Sequence, residues 1–357
     1  MNPVNRLTLE ANQRPMKKVS TLFLLLMFAI SGQAQHSLDI GLAAGTTNYF
    51  GDLGNDEFLQ KSSMKPGLAL TVRNFISPSE VSGMKYSPFN IEARLSWHRI
   101  GYDEVLPVDG NSGIDLRNYG RGLNFRNDIF GFSTHFSYTY YPNRRLPLHK
   151  QALALFVYTG VGVYYGRPKA DLFRGDIDLS NRYYHWSDGT LRDADESTGS
   201  GNIVERDGKY ETDLLDWRTE GQGAYDESNP SRKMYSPWHI GIPVAGGFRY
   251  GVNRNITLSL EFGYYKFFTD YLDDASDAYA TYKQIEQNFA GDPIKQELAK
   301  YISDPTGLGT NGSVGPQTSR RGNPDITDSY SFINFEFAYR IDWNPKKITA
   351  LFAKKGL

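Results

Sequence analysis

The chain has no cysteine among its 357 residues, so no disulfide framework supports it. It has no excess of either charge: 39 basic residues stand against 40 acidic ones. That balance gives no nucleic-acid signal. Beyond residue 35 no apolar run approaches the roughly eighteen residues that a membrane helix needs. A P-loop, a zinc signature and a Ser/His/Asp nucleophile motif are all lacking, so the sequence predicts neither an enzyme nor a cofactor or metal site. The mean hydropathy of −0.50 is low, but it does not exclude a membrane β-barrel, in which half of each strand faces the lumen and the loops are wet. What the chain has in abundance is aromatic: 24 Tyr and 21 Phe, as aromatic girdles or an all-β core require.

Alternation of apolar and polar residues is the organising pattern. In FNIEARLSWH, Phe89, Ile91, Ala93, Leu95 and Trp97 share one face, and Asn90, Glu92, Arg94, Ser96 and His98 the other. Seven further segments behave alike, around residues 38–43, 68–73, 130–140, 153–163, 238–249, 256–264 and 333–340. Their second face is small, glycine-rich and sparsely charged, as a narrow barrel interior demands. Pro243 interrupts the sixth segment and predicts a bulge. The links alternate in length. Those at 78–87, 142–150 and 251–255 are short, whereas those at 51–66, 99–121, 167–235 and 269–328 are longer. Outer-membrane barrels have short periplasmic turns and long extracellular loops. The expectation is an all-β fold: an eight-stranded antiparallel transmembrane β-barrel with long extracellular loops, one carrying a short helical hairpin.

The ends fit export. Lys17 and Lys18, the apolar stretch 22–30 and Gly32-Gln33-Ala34 read as a secretory signal peptide. Residues 1–35 are therefore assigned to the signal, with Met16 as the expected true start; an N-terminal membrane anchor is the alternative. Residues 36–343 form the barrel, and 344–357 a basic periplasmic tail. Residues 167–235 read as mostly irregular. Residues 277–303 read as two helices: Tyr282, Ile285 and Phe289 stripe the first. Asp292 caps the second, with Pro293 at its first position and Ile294, Leu298, Tyr301 and Ile302 on its apolar face. This hairpin is expected to lid the extracellular mouth.

The predicted lumen holds Asp39, Glu92, Glu261 and Glu336 against Arg73, Arg94, Arg249 and Arg340. Charges in so narrow a space must be paired, which predicts an ion-pair plug, Glu92–Arg94 with neighbouring Arg73 being the first pairing expected. His98, His135 and His239 are read as lumen filling rather than a metal site. Asp270, Asp273 and Asp274 of TDYLDD lack EF-hand spacing; a solvated strand exit is favoured there over a calcium site. On the periplasmic side Arg144, Arg145, Lys346 and Lys347, with the apolar Leu351 and Phe352, are candidate contacts for a partner.

Four stretches carry a family resemblance: NYFGD at 48–52, LNFRND at 123–128 leading into the fourth strand, GIPVAGGFRY at 241–250, and TDYLDD at 269–274. Together they resemble PorG-like outer-membrane barrels of the Bacteroidetes type IX secretion system. The resemblance implies an outer-membrane, non-catalytic component of the secretion and gliding machinery, embedded in lipid and anchoring a periplasmic ring of a lipoprotein and its associated secretion proteins, with no nucleic acid and no small-molecule substrate. The sequence departs from the family in its very long third and fourth loops and in the basic tail after the last strand, where a terminal aromatic is usual. A surface-exposed barrel whose long loops recognise a ligand or partner is the alternative.

Overall fold

The computed structural model describes residues 37–54, 63–75, 88–105, 120–143, 150, 153–227, 233–308 and 320–342. Eight long strands form one closed antiparallel barrel. They are β1 (Ser37–Phe50), β2 (Lys65–Phe75), β3 (Phe89–Asp103), β4 (Asn124–Tyr140), β5 (Ala154–Tyr165), β10 (Trp238–Gly251), β11 (Ile256–Phe267) and β12 (Ser329–Asp342), with short strands β6 (Pro168–Ala170), β7 (Tyr184–His185), β8 (Leu191–Arg192) and β9 (Thr212–Asp213) in the link between β5 and β10. Each long strand pairs with its neighbour in the chain, and β1 pairs with β12, from Ser37 opposite Asp342 to Phe50 opposite Ser329. Closure leaves the barrel wall no unpaired edge. No helix of the described residues is long and apolar enough to cross a membrane.

The strands run past the segments in which alternation is clear. β4 starts at Asn124, so most of LNFRND lies within it rather than before it. The reason is a change of surroundings on the outer face. Along β4 that face reads Phe130, Phe132, Phe136, Tyr138 and Tyr140 towards the short turns, then Asp128 and Arg126 towards the long loops. Arg99 on β3 bonds Asp128 (2.8 Å), and the Trp97 indole donates to the same carboxylate (3.1 Å). An apolar belt thus ends in a polar collar, with aromatics at both borders: Trp97, Tyr165 and Trp238 at the loop end, and Phe89, Tyr140, Tyr250 and Tyr339 at the turn end. Leu95, Val157, Ile240, Phe335 and Phe337 lie exposed between them. This is the surface of an outer-membrane β-barrel. Strands of 11 to 17 residues exceed the roughly nine to eleven that cross a bilayer, so their upper ends carry the wall beyond the belt.

Pro243 makes no bulge. Gly241 faces Gly162 and Val244 faces Thr159 in an unchanged register, while Ile242 and Pro243 simply lack ladder partners on β5. The β11 side of the ladder continues through Pro243 opposite Tyr265. The missing N–H therefore costs local pairing without adding a residue. Inside the barrel, glycine makes room where large rings cross the axis. A Cβ on Gly131 would stand 2.3 Å from the Tyr164 ring, and one on Gly162 2.5 Å from its hydroxyl.

Helices α1 (Leu214–Trp217), α2 (Tyr282–Asn288) and α3 (Pro293–Ser303) belong to the two long links. Thr281 and Gln284 close a capping box on α2. Asp292 accepts from the Lys295 N–H (3.0 Å) to cap α3, whose first residue is Pro293. Leu298, Tyr301 and Ile302 join one hydrophobic cluster with the barrel residues Tyr49, Phe125, Tyr265 and Phe332, so the hairpin does cover the mouth. Ile294 departs from the expected apolar face: it is 73% exposed, because the first turn of α3 projects beyond that cluster.

Candidate functional site

The lower lumen is a paired charge layer. Arg73 sits between Glu92 (2.8 Å) and Glu336 (2.9 Å), with Asp39 at 3.9 Å. Arg249 reaches Glu92 (2.9 Å) and the Thr139 hydroxyl (2.8 Å). Arg340 holds Asp39 through both carboxylate oxygens, at 2.7 and 3.0 Å. One expected pairing is corrected. Arg94 does not bind Glu92 but makes a two-pronged bond to Glu261, at 2.6 and 2.8 Å, while the Tyr158 hydroxyl donates to the same carboxylate. Residues two apart on a strand stand side by side rather than face to face, whereas β11 lies across the narrow lumen within reach of a long side chain. All eight predicted lumen charges are thus paired, Asp39, Arg73, Glu92, Arg249, Glu336 and Arg340 in one connected network and Arg94 with Glu261 in a separate pair, and a two-pronged guanidinium–carboxylate bond is the strongest pairing available there.

Beside this layer and above it the lumen carries aromatic rings. His98 bonds the Tyr330 hydroxyl (2.8 Å) and stacks on Phe332. His135 bonds Ser133 (2.8 Å) and stacks on Tyr158 with ring centroids 4.4 Å apart. Among the described residues no group of three metal-ligating side chains includes a histidine.

The mouth is where the sequence reading was furthest from the structure. TDYLDD is not a solvated exit. It folds inward beneath the cap and meets NYFGD. The Tyr49 hydroxyl donates to Asp273 and lies 3.4 Å from Asp328. Asp328 accepts the Leu272 N–H (2.7 Å), and Asp273 accepts that of Ala275 (2.9 Å). Asp274 pairs with the buried Arg321 (3.1 Å) and accepts from Thr219 (2.5 Å) and Tyr235 (2.6 Å). Glu220, from the β5–β10 link, accepts the N–H groups of Ser276 (2.7 Å) and Asp277 (2.9 Å). Arg121 donates to Glu104 and to the carbonyls of Asp52 and Arg321 (both 3.0 Å). Both carboxylate oxygens of Asp270 are buried without a hydrogen-bond partner.

Burial among like charges raises these acids. Asp270 is pushed up to about 9 by burial and by Asp52, Asp273 and Glu220. Burial lifts Asp273 and Glu220 to about 7 and Asp52 to about 6, and holds Asp328 well above the usual carboxylate range. The cluster draws on positions 52, 220, 270–274 and 328, and only the repeated aspartates of TDYLDD signalled it in the sequence.

The candidate partner contacts Arg144, Arg145, Lys346, Lys347, Leu351 and Phe352 lie outside the described residues, as do the signal segment 1–35 and the tail 344–357.

No protein-family model and no curated protein matches the sequence. Among solved structures the chain is similar to Neisserial surface protein A, at 8% identity and a TM-score of 0.32, over 87% of this chain and 100% of that one. It is similar to Ail, the attachment invasion locus protein of Yersinia pestis, at 7% identity and a TM-score of 0.30, over 86% and 99%. It is also similar to a major outer membrane protein from Thermus thermophilus, at 11% identity and a TM-score of 0.32, over 85% and 98%. Likeness at this level goes no further than the fold, and the closed ladder and its apolar belt make that fold an outer-membrane β-barrel.

Proposed function

We propose that the chain is a non-conducting, non-catalytic outer-membrane component of a type IX protein secretion and gliding machinery, anchoring a periplasmic ring. The observation that carries the reading is the doubly closed barrel: a paired charge layer fills the lower lumen and a packed cap covers the mouth. A barrel closed at both levels acts through its surfaces rather than by passing solutes. Support for the machinery itself comes from the family resemblance, whose motifs NYFGD and TDYLDD join through Tyr49 and Asp273. The periplasmic lipoprotein ring is the partner, and the basic turn with Arg144 and Arg145 and the basic tail are its proposed contacts.

The test is co-purification of the ring lipoprotein from solubilised outer membranes. Deleting residues 346–357 is expected to weaken recovery of the ring while the barrel still assembles. Deleting most of 167–235 is expected to leave recovery intact. The reverse pattern overturns the anchor reading. It also favours a second one, in which the long loops recognise a ligand. That second reading draws on a cleft of about 570 Å³ between the β7–β8 hairpin and α3, lined by Tyr184, Trp186, Glu196, Tyr282, Lys300 and Tyr301.

A further inference from the structure

The β5–β10 link, read from the sequence as mostly irregular, contains a small ladder anchored on the barrel. β6 pairs with β4, through Arg126 opposite Lys169, and β9 pairs with β6, through Ala170 opposite Thr212. Asp171 follows β6 and Glu211 precedes β9, so the end of the ladder brings them together. Asp207 lies just upstream. One ligand oxygen from each of Asp171, Asp207 and Glu211 falls within 4.8 Å of the others.

Acidic clusters are common on loops; what matters here is that two of these carboxylates converge on one point while each is held through a single oxygen. Asp171 is fully buried. Its Oδ2 accepts the Gly208 N–H (2.6 Å), and its Oδ1 is buried without a partner. Glu211 repeats the arrangement. Its Oε1 accepts the N–H groups of Leu172 (3.0 Å) and Phe173 (3.1 Å) and the Thr212 hydroxyl (2.8 Å), and its Oε2 is buried without a partner. Each carboxylate is thus oriented through one oxygen and keeps the other free, as the outer hydrogen bonds of metal ligands do. A buried carboxylate oxygen with no partner is costly. The cations at hand do not meet the need. Arg206 is committed to Asp103 (2.8 Å) and to the Asp171 carbonyl. Lys209 bonds Asp207 on the exposed side (3.0 Å).

We propose that Asp171, Asp207 and Glu211 form a binding site for calcium. The donor set is all oxygen, as hard cations prefer. The exposed Asp207 side leaves room for waters to complete the six to eight ligands that calcium typically takes, whereas magnesium demands a tighter octahedron. The ion ties the 207–211 segment to residue 171. Asp171 is already fixed to the barrel by reciprocal bonds with Asn124 of β4, at 2.8 and 3.1 Å. Calcium therefore fastens the long loop to the barrel rim, and binding is linked to folding of that loop.

The test uses the full chain, folded in detergent, stripped with a chelator and titrated with CaCl2 by calorimetry, with limited proteolysis alongside. One equivalent of calcium is expected to bind and to slow cleavage within residues 167–227. A double variant, Asp171→Asn with Glu211→Gln, is expected to lose both effects while keeping the heat-modifiable gel shift of a folded barrel. Should the double variant fail to fold, Glu211→Gln alone, at a partly exposed position, is expected to weaken binding at least tenfold. Asp270→Asn is expected to change neither readout, which separates this site from the mouth cluster. Absence of binding to the wild-type chain overturns the proposal, as does equal binding by Glu211→Gln. MgCl2 acting at the same concentration as CaCl2 overturns the choice of ion.

Discussion

In the lower lumen Asp39, Glu92, Glu261 and Glu336 each touch a guanidinium. At the mouth Asp52, Glu104, Glu220, Asp270, Asp273, Asp274 and Asp328 gather around Arg121 and Arg321. Both regions are walled by the same barrel, and both exclude most water. They handle charge by opposite means. The lumen matches each carboxylate with a counter-ion from another strand. Among the described residues the mouth has too few cations and holds its acids through backbone N–H groups, the Tyr49 hydroxyl and retained protons. Paired charge at fixed register makes a rigid plug. Unpaired charge makes a joint whose strength depends on pH, and it lies where the cap meets the barrel.

Breaking a pair in the lumen has the largest expected effect. Arg94→Met leaves Glu261 buried with only the Tyr158 hydroxyl. Removing one partner of a buried pair typically costs about 3–5 kcal/mol. Urea unfolding in micelles, followed by the loss of the heat-modifiable gel shift, measures it. Adding Glu261→Gln is expected to recover most of the loss, since no bare charge then remains. A double variant as unstable as the single one would show that the pair matters for its shape rather than its charge.

The outer face sharpens the same contrast, because lipid supplies no counter-ion at all. Leu95 is 51% exposed in the middle of the belt. Leu95→Arg is expected to cost about 2–4 kcal/mol, read as lowered assembly in membranes. Its neighbour Ala93 is the poorer probe, since it is only 9% exposed and substitution there would also overpack adjoining side chains. Unimpaired assembly of Leu95→Arg would place the belt elsewhere.

At the mouth the effect is smaller and depends on pH. Free carboxylates titrate near 4, and burial raises Asp52, Asp273 and Asp270 to about 6, 7 and 9. The folded mouth therefore holds more protons than the unfolded chain across that window. Stability from this region is full below about pH 4 and declines as pH rises towards 9. Arg121 and Arg321 soften the decline without reversing it. Hydrogen exchange of the cap amides is expected to be slower at pH 5.5 than at pH 8.5, after correction for intrinsic rates. Asp270→Asn is expected to flatten that difference. A cap that tightens as pH rises would contradict the assignment.

The barrel was legible in the sequence because two solvents, lipid outside and packed side chains inside, write a period of two along each strand. Legibility failed where that contrast fades. Past Trp97 the outer face meets water, so Arg99 and Asp128 look like loop residues although they pair within strands. The lumen charges could be named but not matched. Arg94 and Glu261 stand 167 positions apart, and their meeting depends on register and tilt, not on any local pattern. TDYLDD misled because aspartates after a strand usually reach water. Here the cap turns them inward, and the positions that surround them are scattered along the chain. Asp171, Asp207 and Glu211 gave no signal, since a ladder only two or three residues long has no period to read.

The smallest expected effect acts on the cap alone and asks whether mouth and lumen are separate units. Asp292 accepts the Lys295 N–H at the start of α3, and removing such a cap typically costs about 1 kcal/mol. The helix matters to the mouth because Leu298, Tyr301 and Ile302 close over it. Tyr301 also donates to the Leu172 carbonyl (2.9 Å) and accepts the Tyr183 N–H (3.2 Å), which ties α3 to the β5–β10 link. Fraying at Asp292 should therefore loosen α3 and the segment around Tyr183 together. It should leave β3, β11 and the Arg94–Glu261 bond untouched, because local opening follows contiguous packed units. Asp292→Ala is expected to speed exchange of the α3 amides and those near Tyr183 by about fivefold, the equivalent of about 1 kcal/mol, with lumen strands unchanged. If lumen amides accelerate equally, cap and barrel open as one unit, and the division between a charge-paired plug and a pH-sensitive joint does not hold.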